Sequence, residues 1–156
     1  MKENILRRAD KEIKDKAEIE SVLQKANICH LGLCDNGLPY VVPVNYGYAD
    51  GCLYIHSASE GRKIDLLRKN NLVSFTIYTG DELVRSDKAC NWSMKFRSVM
   101  GVGRATLIED RQGKEAALRT IMRHYSEKST DFDPSRVEKI LIIKINIDTM
   151  AGKRSG

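Results

Sequence analysis

The chain has 156 residues, of which 42% are hydrophobic and 30% charged. That is ordinary usage for one globular domain, and it excludes a disordered or collagen-like chain. The 26 Lys and Arg exceed the 21 Asp and Glu, giving a net charge of +5; this suits an acidic ligand, but the cations are interspersed, so a nucleic-acid binder ranks last.

Residues 1–8 lack the apolar segment of a signal peptide, and no apolar run approaches the roughly 18 residues of a membrane span. The expectation is a soluble, reduced, cytoplasmic protein with neither membrane nor nucleic acid among its partners. Asp15 to Glu18 resembles a capping box, and Ile19, Val22, Leu23 and Ala26 follow at helical spacing. Residues 28–34 read as a first strand, ended by Asp35-Asn36-Gly37, whose Asn-Gly pair suits a tight turn. Residues 38–48 alternate, and Pro43 puts that strand at an edge or breaks it there. Asp50-Gly51 turns the chain into residues 52–57, so these three segments predict a meander.

Small and polar residues 57–63 lead into a short helix over residues 64–70. Residues 72–78 are β-rich, and residues 79–89 read as a polar loop. From Cys90 the pattern alternates again, with Trp92, Met94, Phe96, Ser98 and Met100 on one face, bending at Gly101 and Gly103 and continuing to Ile108. A helix over residues 112–126 turns Leu118, Ile121, Met122 and Tyr125 inward. Asp133-Pro134 opens a helical turn with proline in first position. Residues 140–147 form a last buried strand, and residues 148–156 read as a tail. Six strands in meanders with short helices between them predict a mainly β protein, an antiparallel barrel with flanking helices. The cysteines Cys29, Cys34, Cys52 and Cys90 have no C-x-x-C spacing and no adjacent histidine, so no metal site is expected.

Chemistry concentrates in Ile55-His56-Ser57-Ala58-Ser59-Glu60-Gly61-Arg62-Lys63. A strand ends, hydroxyls gather, a glycine permits close backbone approach, and a helix begins with two cations. Free N–H groups at a helix start favour phosphate, with Arg62 as a fork and Lys63 as a point charge. A capped helix with solvated cations fits the same spacing equally well. Gly101-Val102-Gly103-Arg104-Ala105 faintly imitates a dinucleotide fingerprint, but strand text follows it where a helix is needed.

The order and spacing of three blocks carry a resemblance. They are Pro39-Tyr40-Val41-Val42-Pro43-Val44-Asn45-Tyr46-Gly47-Tyr48, then Leu53-Tyr54-Ile55-His56-Ser57-Ala58 with Gly61-Arg62-Lys63, then Cys90-x-Trp92-x-x-Lys95-Phe96-Arg97-Ser98-Val99-x-Gly101-x-Gly103-Arg104-Ala105. Together they resemble the pyridoxamine 5'-phosphate oxidase-like FMN-binding split barrels, nearest the nitroimidazole-resistance (Nim-type) flavoproteins, over about residues 15–150. The resemblance implies a six-stranded antiparallel split β-barrel that forms a homodimer with FMN at the interface. It implies that Pro43, Val44 and Asn45 line the isoalloxazine edge, that His56, Ser57 and Ala58 follow the ribityl chain and ring, and that Arg62 and Lys63 hold the phosphate. Ser98 matches a position that reaches the flavin, and Trp92 and Phe96 share its face and would come from the partner subunit. His56 matches a histidine beside the flavin, suited to proton delivery; its bland alternative is a packing residue at a strand end.

The implied activity is an FMN-dependent oxidoreductase, a nitroreductase type using a nicotinamide reductant (NADH or NADPH) and a small-molecule substrate. Residues 147–156 do not match the Arg- and His-rich terminal segment of true pyridoxamine-phosphate oxidases. A flavin- or haem-binding module for storage, sensing or sequestration is the alternative, with His30, His56 or His124 as axial ligand.

Overall fold

In a computed structural model, which describes residues 9–126, 128 and 131–156, a short 3-10 turn over Ala9–Lys11 precedes β1 (Glu12–Ile13) and α1 (Lys16–Lys25). Asp15 caps α1 by accepting from the Ala17 N–H at 3.0 Å. The predicted box is only half realised. Glu18 turns away from the cap, accepts from Arg97 and forms a looser ion pair with Arg154, because two guanidinium groups outcompete one backbone N–H for a carboxylate. Ile19, Val22 and Leu23 bury the predicted face. The last carbonyls of α1 and its exit are satisfied from afar: Tyr46 Oη donates to Leu23 O (2.6 Å), His124 Nε2 lies 2.7 Å from Ala26 O, and Tyr125 Oη donates to Asn27 O (2.8 Å).

β2 (Cys29–Asp35) and β3 (Leu38–Val44) form a hairpin across Asn36 and Gly37, both at positive φ (51° and 89°). β3 ends one side of the sheet, as Pro43 requires. The predicted meander stops there. The chain breaks at Asn45 and Tyr46, and β4 (Gly47–Ala49) pairs with β5 (Cys52–Ala58) at the opposite end of the sheet. The cause is Tyr46: it is fully buried, its ring beside His124 and its hydroxyl on α1, which pulls the chain off the β2 ladder.

α2 (Arg62–Lys69) leads to β6 (Leu72–Val84), which runs antiparallel to β7 (Ser93–Ile108). Thr79 to Val84, expected in a loop, extends β6 past a bulge between Thr79 and Glu82. α3 (Arg111–Tyr125) is capped by Asp110, and α4 (Pro134–Lys139) by Asp133, with proline in first position. Of the inward residues expected on α3, Ile121 is buried, Leu118 and Met122 are half-buried, and Tyr125 is exposed; Lys114 and Ala117 are buried instead. The Lys114 ammonium donates to the Glu138 carbonyl at the end of α4, a partner that burial of a lysine demands.

β8 (Ile140–Ser155) continues through the predicted tail, pairing with β7 as far as Phe96↔Ser155. The strand order is β3-β2-β6-β7-β8-β5-β4, with β1 alongside β8. Six long strands carry the sheet, as expected; β1 and β4, of two and three residues, are additions. Inside lie Leu31, Leu53, Ile55, Ile77, Val99, Ile143 and Ile145, all fully buried, each stabilising by roughly 1.5–3 kcal/mol. Gly101 sits where the Phe75 ring and the Thr149 carbonyl leave no room for a side chain. The sheet curls around this core, and its two ends, β3 and β4, are not bonded to each other.

Candidate functional site

A cleft of about 420 Å³ opens where the sheet fails to close. Tyr40 from β3 stands on one side, His56, Ser57 and Ala58 from β5 on the other, and Glu60, Gly61, Arg62 and Lys63 complete it. β5 positions its residues by alternation: Leu53 and Ile55 fill the core, Ser57 is half-buried past its end, and His56 and Ala58 are exposed. α2 is anchored by Ile64, Leu66 and Leu67, which bury its apolar face. Its N-cap is Gly61, at φ +115°, a conformation that favours glycine. Gly61 offers no side-chain cap; its carbonyl accepts from Ile64 N (2.9 Å) and Asp65 N (3.1 Å), so the N–H groups of Arg62 and Lys63 precede the helical ladder.

The two cations differ. Arg62 lies over the Tyr40 ring at 4.6 Å, and its Nη2 donates to Asp35 Oδ2 at 3.4 Å. Its side chain is 52% exposed, so the ion pair stabilises by at most about 1 kcal/mol and holds the guanidinium without consuming it. Lys63 is half-buried, has no carboxylate within 4.0 Å among the described residues, and its pKa is lowered by burial. An ammonium held partly out of water with no counter-charge, at an uncapped helix start beside hydroxyls, fits a phosphate group.

The remaining expected site residues do not line this cleft. Pro43 and Val44 lie farther along β3 than Tyr40, and Asn45 just beyond its end. Ser98 is buried on β7 between Tyr78 and Lys153, its cross-strand partners. Phe96 lies under the Lys153 ammonium at 5.9 Å. Trp92 precedes β7, is 48% exposed, and donates from Nε1 to the Ser86 carbonyl. Along the ladder, His56 faces Ile142 and Ile142 faces Ile108. Ser98 is ten residues from Ile108, roughly 33 Å of strand. One chain therefore holds these two groups of residues far apart.

Sequence reasoning missed Tyr40, Asp35 and Glu60. Tyr40 was legible only as one position of an alternating strand; nothing local told that Arg62, 22 residues on, would stack on it. The other histidines are committed elsewhere, His30 stacked on Tyr78 and His124 against Ala26 O. Burial pushes the Cys29 thiol up to about 12, which leaves it inert. Among the described residues, no three His, Cys, Asp or Glu side chains gather as a metal site, and no helix is long and apolar enough to cross a membrane.

An antiparallel sheet curled around one core, open between its end strands and flanked by helices, is a split β-barrel. The chain belongs to the pyridoxamine 5'-phosphate oxidase family, whose pattern matches residues 15–154. A candidate 5-nitroimidazole antibiotic resistance protein from Bacteroides thetaiotaomicron is 40% identical, with a TM-score of 0.83 over 92% of this chain and 86% of that one. The flavocytochrome Anf3 from Azotobacter vinelandii is 26% identical (TM-score 0.84; 97% and 72% of the chains). The FAD and heme binding protein of Mycobacterium smegmatis, at 17% identity and TM-score 0.81 over 93% and 73% of the chains, shares the fold. An uncharacterized Rhizobium meliloti protein is 32% identical over 65 residues, so the match spans 42% of that curated relative's length and 42% of this chain.

Proposed function

We propose that the protein is an FMN-dependent oxidoreductase acting as a homodimer, taking electrons from a nicotinamide nucleotide and passing them to nitro compounds or similarly electron-poor small molecules. The observation that carries this reading is the Lys63 ammonium, half-buried and with no carboxylate partner among the described residues, at the head of α2. A mononucleotide's phosphate dianion matches it in charge, and Arg62, already aimed by Tyr40 and Asp35, supplies a second grip. The likeness to a candidate nitroimidazole resistance protein and to a flavocytochrome supports a flavin as the ligand.

Bound flavin supplies the hydride and electron chemistry. The chain's own residues bind and orient. With FMN bound, Lys63, Arg62 and the Ser57 hydroxyl would hold the phosphate and ribityl end, Ala58 would leave room for the ribityl chain, and the backbone of Pro43, Val44 and Asn45, farther along β3 and just past its end, would serve the ring edge. His56, exposed on the cleft side of β5, delivers a proton to the substrate. The partner subunit's Trp92, the partner's Phe96 and the partner's Ser98 close the site. The exposed apolar groups Val41, Tyr78, Trp92, Met94 and Val102 support this pairing, since each would otherwise face water.

Mass spectrometry of ligand released from freshly purified protein tests the reading: FMN is expected, with absorption bands near ~375 and ~450 nm that bleach on anaerobic addition of NADH or NADPH. Absence of any flavin contradicts it. A flavin- or haem-binding module without turnover is the second reading, favoured by the likeness to a flavocytochrome over 97% of the chain and by His56 being the exposed histidine of the cleft. A Soret band, or a flavin that no nicotinamide nucleotide bleaches, would select it.

A further inference from the structure

A second cavity, of about 630 Å³, lies under α1, away from the α2 cleft, with which it shares no residue. Its floor is one row of the β ladder. Thr79 faces Arg97, and Arg97 faces Arg154. The preceding row, Ile77, Val99 and Gly152, is buried core. Side chains two apart share a face, so Thr79, Arg97 and Arg154 continue the core face past the end of the apolar packing. At the row where another apolar layer would close the barrel end, the sequence places two arginines and a hydroxyl. The roof is α1, whose Glu18, Ser21 and Lys25 share one helix face at spacings of three and four.

The charges in this cavity do not cancel. Like charges directly opposite on one sheet face repel. Glu18 relieves part of that, lying 2.9 Å from Arg97 Nε and 3.8 Å from Arg154 Nη1. Lys25 has no carboxylate within 4.0 Å among the described residues, so three cations meet one carboxylate. The hydroxyls of Ser21 and Thr79 add donors, and the bulge that begins at Thr79 is the kind that re-aims a side chain beside a site. Both guanidinium groups remain reachable, their side chains 58% and 55% exposed.

The geometry points to an anion-binding site here for an organic phosphate carrying at least two negative charges, of nucleoside diphosphate size. The volume lies within the range of small-molecule sites, roughly 300–1,000 Å³, and exceeds what a lone phosphate fills. This site does not depend on the flavin reading, because none of its groups belongs to the α2 cleft. The pyrophosphate of a nicotinamide nucleotide and that of any other nucleotide share the chemistry it recognises.

Calorimetric titration of the full chain with ADP, inorganic pyrophosphate and NADPH tests it. Saturable binding of one ADP per chain is expected, weakened about three- to tenfold by Lys25→Ala and by Arg154→Gln. Lys16→Ala, an equal charge change on the same helix outside the cavity, should leave it unchanged. Tighter binding of NADPH than of ADP assigns the site to a nicotinamide nucleotide; equal binding assigns it to nucleotide phosphates in general. Three results overturn the site: no saturable binding of ADP or pyrophosphate at millimolar concentration, unchanged binding in both Lys25→Ala and Arg154→Gln, or equal weakening by Lys16→Ala. Lys25 is exposed and has no carboxylate partner among the described residues, so its variant folds even if Arg154→Gln does not.

Discussion

At the head of α2 the groups offered to a ligand are an ammonium, a guanidinium and hydroxyls, set in a cleft between unpaired sheet ends. On the outer face of β7 and its approach they are Trp92, Met94 and Val102, exposed by 48%, 40% and 36%. The first region gathers groups suited to an anion, all of them from one chain. The second offers apolar area that nothing among the described residues covers. Polar chemistry can be finished locally, by one strand end and one helix start, whereas an apolar face is finished only by a second surface. That difference explains how a resemblance assigns Lys63 and Ser98 to one site although one chain holds them far apart.

The largest expected effect lies on the polar side. Lys63→Ala should weaken FMN binding by about ten- to hundredfold, the equivalent of roughly 1.5–3 kcal/mol for a charge-assisted contact. Fluorescence titration reads this directly, and unchanged affinity would remove the phosphate from α2. On the apolar side, Val102→Lys should convert the dimer to monomer in light scattering at micromolar concentration while leaving thermal stability nearly intact, because the residue is outside the core. A wild-type protein already monomeric would break the comparison outright.

The pH dependence sharpens it further. Burial lowers the Lys63 pKa, so between that value and the ordinary one of about 10.4 the unfolded chain holds a proton that the folded chain has released. Stability contributed by this residue therefore rises with pH across that window. Phosphate affinity runs the other way, since the dianion needs the charged ammonium: it should fall as pH climbs through the lowered pKa, at a pH below the ordinary lysine range. The fall should vanish in Lys63→Ala. The smallest effect is expected at Asp35. Asp35→Asn removes a carboxylate that competes for an exposed arginine, and should tighten FMN binding about two- to threefold.

Much of this was legible because it is local. Asp15 and Asp133 announce helix starts, Asn36-Gly37 a tight turn, and Pro43 a sheet edge; each acts through its own backbone or a neighbour a few residues away. The head of α2 was legible for the same reason: Gly61, Arg62 and Lys63 are consecutive. What stayed hidden depends on distant partners. Residues 148–155 look like a tail because Gly152 and Ala151 give little alternation, yet β7 supplies a ladder for them. Thr79 to Val84 look like a loop because that arm reaches beyond the core, where alternation no longer separates apolar from polar. Tyr46 breaks the meander through contacts with α1 and α3, which no window around residue 46 contains.

Mixing two defective variants is the most direct check that the cleft of one chain and the β7 face of another form one flavin site. Lys63→Ala removes the cleft, and Trp92→Ala with Phe96→Ala removes the face. Exchange of subunits should restore FMN binding of wild-type affinity in about one site in four, because half of randomly paired dimers hold one intact site out of two. Mixed dimers seen by native mass spectrometry that recover no tight FMN binding would contradict the account.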